Sequence, residues 1–416
     1  MRGERKLLLQ QALLDVEGGE RMWVCRDCLG DYMLKGLNSA LQAERACSAC
    51  GKTTLQALTP ERIARFIRKH LPEHFCLDPG LYPGYEMTLD DVVGAAIGCS
   101  FKPVRKAISD LLEDANADEG DFYWPGQEYC RAPSPFESED HERWFAVGPW
   151  HNIAHELVHG RRFFNDKARS FFEWLISEAL EAEDPERPGT PALVTSLDAG
   201  ANFFRSRIAS GEQESRTFAE NPAVALGVAP KERAANNRMS PAGVPLLYVS
   251  RELDTCIAEL RPSIGDTVVV ARFRSTAPLK FFDFTMLSRR LRHAALSFFD
   301  PSYRKRSEHR MLLEYLHEEI ARPVRLNDTD YVMTQALAEY IRYDERWAFD
   351  GIAFRSVQRE DGVNYVLFDR GPPGAMLAPD WRPTFHLATS TETVSTHVIK
   401  SVRYVHESAA DLPQRY

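Results

Sequence analysis

Four cysteines stand first among the residues whose spacing could do chemistry. Cys25-x2-Cys28 and Cys47-x2-Cys50 are separated by 18 residues. Each pair makes a tight knuckle that presents two thiolates on one side, and the loop between can close them into a tetrahedral S4 site. Thiolate softness favours Zn2+ over a hard cation, and four protein ligands leave no open position for water. The expected role is structural. A second metal-type motif is His155-Glu156-Leu157-Val158-His159. On a helix its two histidines face the same way and the glutamate can reach a metal-bound water. Glu178 follows His159 after 18 residues, a spacing at which some zinc peptidases place a third ligand. The competing explanation is a packing helix with a polar edge, which His151 and the following Gly160-Arg161-Arg162-Phe163-Phe164 suit better. A zinc peptidase on this motif is carried as the rival enzyme class. The pairs Arg65/His70 and Arg68/His74 fit a loose ribonuclease spacing that is common by chance.

These residues need elements to hold them. PERIARFIRKHL places Ile63, Phe66 and Ile67 on one helical face, with Pro60 in the first turn. Thr88 and Asp91 form a variant capping signal ahead of DVVGAAIG, and PVRKAISDLLEDA continues the helical spacing. Helices return with HNIAHELVH and the stretch up to residue 183. EDPERPGTPALV, with three prolines and a glycine, reads as a linker over 184–199. After residue 200 the runs GVPLLYVS, DTVVVARF, LKFFDF, DGIAFRS, VNYVLFD and STHVIKSVRYV read as strands, interrupted by the helical ELDTCIAEL, RKRSEHRMLLEYLHEEIA and MTQALAEYIRYDE. In MTQALAEYI, Gln335 sits at a helix start, where lining the cleft and capping the helix explain it equally well. The expected class is α+β, divided as a zinc-ribbon-like element at 1–52, a helical domain at 53–183, the linker, and a mixed α/β domain at 200–416.

Composition narrows the partners. With 44% hydrophobic and 27% charged residues the chain is globular rather than disordered or fibrous. Its 51 Lys+Arg against 60 Asp+Glu leave a formal charge of -9, so a general grip on nucleic acid is not expected. The opening stretch lacks the apolar core of a signal peptide, and no segment offers the roughly 20 apolar residues that cross a bilayer. Scattered thiols at Cys76, Cys99, Cys130 and Cys256 fit a reducing compartment. A cytoplasmic protein without membrane partners is expected, and a homo-oligomer is compatible with this reading.

Three distant segments remain: ANFFRSRIA, NNRMSPAGVPLLYVSRELDTCIAELRP, and FDGIAFRSV followed by VNYVLFD. Together they resemble the RES family, named for its recurring Arg, Glu and Ser. The family's first arginine is matched by Phe204-Arg205 and its second by Asn237-Arg238-Met239-Ser240-Pro241. The strand ending in Leu-Tyr is matched by Leu247-Tyr248, and the glutamate by Ala258-Glu259-Leu260-Arg261-Pro262. The serine is matched by Ser356 in the strand that starts at Gly351, and Asn364 begins the closing strand. The resemblance covers roughly 200–372. At pattern level the helical region resembles the HEPN-type domain found ahead of some RES domains. The resemblance implies an ADP-ribosyltransferase-like fold and consumption of NAD+, with ADP-ribose passed to water, phosphate or protein, or plain NAD+ depletion by a toxin. It also implies a partner such as an antitoxin or regulatory protein.

The residue types agree with that chemistry. Cleavage between ribose and nicotinamide develops an oxocarbenium-like cation, which a carboxylate at Glu259 would stabilise. Arg205 and Arg238 offer planar, permanently charged forks to a diphosphate. Tyr248 offers an aromatic face to the cationic nicotinamide, and Ser356 a hydrogen bond to ribose or carboxamide. Singly, each has a plain explanation: Glu259 a surface helix residue, Arg205 the solvated end of a strand, Arg238 a loop charge, Tyr248 strand core, Ser356 a strand serine. An inert RES fold serving as an interaction module is the third reading.

Overall fold

Capping signals near the start of the chain become helices for the reasons their residues suggest. The Thr59 hydroxyl accepts from the Arg62 N–H and Pro60 fills the first turn, so Pro60–Ile67 is helical and buries Ile63, Ala64 and Ile67. Thr88 and Asp91 complete a reciprocal capping box on Leu89–Ile97, whose side chains Val92, Val93 and Ile97 are fully buried. That helix stops at Gly98, where φ is +64° and an added Cβ would lie 2.6 Å from the Gly30 Cα. Only glycine satisfies both the left-handed backbone and the close approach.

The computed structural model describes residues 21–37, 40–78, 87–131, 139–289, 291–321, 331–371 and 381–403. They divide into two units, one of residues 1–145 and 295–308, the other of 146–294 and 309–416. In the first unit a three-stranded sheet orders Val24–Cys25, Thr53–Leu58 and Ala40–Ala46. The unit's core joins the helices Pro60–Ile67, Leu89–Ile97 and Lys102–Leu112 around Phe75, Tyr129 and Phe299. His70 lies 5.5 Å from the Phe299 ring and His74 4.7 Å from Tyr303, and burial pushes both imidazoles below their ordinary range. Arg68 donates to the Leu112 carbonyl at 2.8 Å. These residues of the loose nuclease spacing therefore serve packing.

The second unit is built on a nine-stranded sheet: β1 (Val194–Leu197), β2 (Asn202–Ala209), β3 (Leu247–Ser250), β4 (Thr267–Ser275), β5 (Leu279–Asp283), β6 (Gly351–Arg355), β7 (Val363–Leu367), β8 (Leu387–Ala388) and β9 (Val394–Val398). The order is β8-β4-β2-β3-β7-β6-β5-β1, with β9 also pairing β4. All pairings are antiparallel except β5 with β6. One core cluster lies around Phe203, Val249, Val269, Phe281 and Tyr365; another joins Phe282, Ile352, Val366 and Phe354 to the helices Glu139–His159, Asp166–Glu181 and Val332–Tyr343. The molecule is thus α+β.

The segment expected as a linker is structured. Glu183–Asp184 pairs with Arg187–Pro191, and β1 closes the edge of the large sheet against β5. Prolines suit that place because an edge strand needs fewer N–H donors. The helix before it joins the second unit, since Phe172, Leu175 and Ile176 are buried in the same cluster as Phe282 and Ile352. Among the described residues no helix is long and apolar enough to cross a membrane.

Candidate active site

A cavity of about 480 Å3 opens in the second unit, within the size range of small-molecule sites. Arg205, Arg238, Tyr248 and Glu259 all line it. Arg233 and Arg261 add two further cations, so that among the described residues four arginines and one carboxylate line the cavity. Aromatic wall is supplied by Phe204, Tyr331 and Phe354. Such a lining selects an anionic ligand with flat rings.

Glu259 ends the short helix α1 (Leu253–Glu259). The helix is seated by buried Thr255 and Cys256, and the Ser206 hydroxyl on β2 donates to the Cys256 carbonyl at 2.9 Å. Beyond it the chain turns sharply, with Arg261 at φ +48° ahead of Pro262. The Glu259 carboxylate is exposed to the cavity but not loose. Its Oε1 accepts from the Ser356 hydroxyl at 2.5 Å and from the Asn364 amide at 2.6 Å. Both donors meet the same oxygen, and among the described residues Oε2 has no hydrogen-bond partner. Asn364 is itself oriented, because its Oδ1 accepts from the Ser250 hydroxyl at 2.6 Å across the β3–β7 ladder, where the two residues stand opposite.

Ser356 is not part of the cavity wall and reaches the site through Glu259. It sits just beyond β6, and its oxygen also accepts the N–H groups of Gln358 and Arg359. Its position depends on Gly362, where an added Cβ would come within 2.7 Å of the Thr255 hydroxyl.

Arg205 projects from β2 with its Nη1 atom shut off from solvent and without a hydrogen-bond partner among the described residues. Burial, reinforced by Arg207, pushes its guanidinium down to about 10. A buried cation with an unsatisfied donor costs free energy until an anion arrives. Arg238 lies in a tight turn closed by reciprocal bonds between Asn237 and Ser240, with its guanidinium 5.8 Å from the Tyr331 ring. Tyr248 holds this turn: its hydroxyl accepts from the Met239 N–H at 3.2 Å and meets the Ser240 hydroxyl at 3.1 Å. Burial pushes that phenol up to about 12, so it stays protonated and its ring is the part left for a ligand.

Residues 207–390 match the RES domain family. The matched stretch starts two residues after Arg205, which lies on the same strand as its first residues. No curated protein and no solved structure matches the chain.

Several contributors to this site were not assigned a role from sequence. Asn364 was legible only as the start of a strand, although an asparagine inside an otherwise apolar VNYVLF run is the kind of residue that demands a partner. Gln335, for which cleft lining and helix capping were equal readings, donates to Asn236 Oδ1 and the Asn237 carbonyl, both at 2.7 Å, and so clamps the Arg238 turn. Thr334 adds a bond to the Arg238 carbonyl at 2.7 Å.

The metal motifs separate clearly. Cys25, Cys28, Cys47 and Cys50 bring their sulfurs within 4.8 Å of one another. Cys25 and Cys50 are 3.7 Å apart, Cys28 and Cys47 3.8 Å. A tetrahedron with Zn–S bonds of about 2.3 Å has sulfur–sulfur edges of about 3.8 Å, so the donor set fits zinc. Burial raises the Cys47 thiol, but N–H groups of Cys25, Cys50 and Ala49 outweigh it and hold it at about 7. Around His155 and His159 no third ligand gathers among the described residues. The two rings are 4.9 Å apart on an exposed helix face, Glu156 pairs with Lys167, and Glu178 is buried against Arg310 at 2.6 Å. The spacing put Glu178 in reach as a ligand; tertiary packing gives it to an arginine.

Proposed function

We propose that this protein cleaves NAD+ between ribose and nicotinamide. The observation that carries the reading is that, among the described residues, one carboxylate fixed through a single oxygen faces a cavity with four arginines, one of them buried with a nitrogen that lacks a partner. Arg205 and Arg238 grip the diphosphate, and Tyr248 with its aromatic neighbours receives the nicotinamide ring. As the C1′–N bond breaks, its electron pair leaves with nicotinamide, which departs neutral and needs no strong acid. The cation left on ribose faces Glu259 Oε2, the oxygen without a hydrogen-bond partner, while Ser356 and Asn364 keep the carboxylate from swinging away. An acceptor, whether water, phosphate or a protein nucleophile, then adds at C1′ and loses its proton. The biological role proposed with this chemistry is that of a toxin or defence effector acting on the NAD+ pool, restrained by an antitoxin or regulatory protein. The four cysteines hold a structural Zn2+ that takes no part in the reaction.

Incubation of the purified protein with NAD+, with and without phosphate, tests the reading. Nicotinamide release is expected, and Glu259→Gln should lower it by at least about 100-fold while leaving NAD+ binding largely intact. No release, or equal release from the variant, would remove the proposal.

A further inference from the structure

Cys76 and Cys130 belong neither to the arginine-lined cavity nor to the four-cysteine cluster. Cys76 is the middle residue of the strand Phe75–Leu77 and Cys130 that of Tyr129–Arg131, and the antiparallel register sets them directly opposite. Residues opposed in this way have Cα atoms about 4.5–5.5 Å apart, inside the span of about 4.4–6.8 Å that a disulfide bridges. Their sulfurs are 3.0 Å apart, closer than the 3.7 and 3.8 Å pairs of the metal-type cluster, yet both are free thiols. Access is unequal: Cys76 is partly exposed, Cys130 is 1% exposed.

We propose that Cys76 and Cys130 are a redox pair that closes to a disulfide when the protein meets a peroxide. Cys76 reacts first because solvent reaches it. Its sulfur attacks one peroxide oxygen, the O–O bond breaks, and the departing hydroxide leaves as water with the thiol proton, giving a sulfenic acid. Cys130 then attacks the Cys76 sulfur, the S–O bond breaks, and a second water leaves with the Cys130 proton. The two thiols lose two electrons in total, and the peroxide is reduced to two waters. Burial and the adjoining Cys130 push the Cys76 thiol up to about 12, so only a small fraction of Cys76 is thiolate at neutral pH and its reaction with peroxide is slow, quickening as the pH rises. The new bond would tie together the ends of a stretch that contains the buried helices Leu89–Ile97 and Lys102–Leu112, and would raise the thermal stability of the first unit.

The test treats the full-length, zinc-loaded protein with hydrogen peroxide, alkylates it, and digests it without reduction. Mass spectrometry should find the peptides of Cys76 and Cys130 cross-linked, with fragment ions placing the bond at Cys76 rather than Cys99, and dithiothreitol should reverse it. In Cys130→Ser, Cys76 should instead be trapped as a dimedone adduct. Recovery of both residues alkylated after peroxide, or a bond from Cys76 to a different cysteine, would overturn the proposal. The wild-type digest decides this even where the variant fails to fold, and it is independent of NAD+ cleavage.

Discussion

The Arg205 guanidinium is buried beside Arg207, and among the described residues its Nη1 has no hydrogen-bond partner, an arrangement that would favour a bound anion. Replacing it with an apolar side chain of similar length separates the burial of the charge from its hold on an anion. In Arg205→Met, NAD+ binding should weaken by roughly 100-fold or more while the melting temperature holds or rises, because a desolvated charge is removed along with the anion's partner. Titration of NAD+ beside a thermal melt reads both. Asn364 acts through Glu259 instead. Asn364→Ala removes one of the two donors to Oε1 and should lower kcat by about 10- to 100-fold with KM for NAD+ little changed. Asn364→Asp should cost more, since it also sets a second negative charge against Glu259. A purely structural asparagine would lower the melting temperature without splitting kcat from KM in this way.

Short elements place these groups. Helix α1 brings Glu259 to the cavity because Cys256 and Thr255 bury its other face against the sheet. The Arg238 turn is anchored by buried Met239, and its shape is held further by bonds from Tyr248, Thr334 and Gln335. Gln335→Ala should therefore release the turn and raise KM for NAD+ by about 5-fold, a loss comparable to one or two hydrogen bonds, with kcat moved less. Steady-state kinetics at saturating and limiting NAD+ check this, and an unchanged KM would show that the turn holds without the clamp. At this scale the strand runs and the capping box were legible from local residue types. The 184–199 segment was not, because proline and glycine mark an edge hairpin as readily as a linker.

Across the whole molecule the two metal-type motifs diverge, and metal counting distinguishes them. One zinc per chain is expected. Cys25→Ser should abolish it and lower the thermal stability of the first unit, whereas His155→Ala with His159→Ala should leave the count at one. Elemental analysis beside a thermal melt measures both outcomes; a second zinc lost with the histidines would restore the peptidase reading. The division into units also belongs to this scale. Helix Asp166–Glu181 is continuous in sequence with the N-terminal helices, but its buried Phe172 and Leu175 join the core of the later unit.

By itself the amino-acid sequence determined what depends on near neighbours: two cysteine knuckles with ligand spacing, a capping box at Thr88, β-rich runs after residue 200, and the ordered arginine, tyrosine, glutamate and serine segments. Tertiary structure alone decided which side chains share a cavity and how each is held. Asn364 and Ser356 meet on one oxygen of Glu259 only because β7, the end of β6 and α1 converge, and Glu178 is claimed by Arg310 from 132 residues away. Local periodicity reports on which face a residue occupies, whereas a hydrogen bond between distant segments exists only once the sheet has set their register.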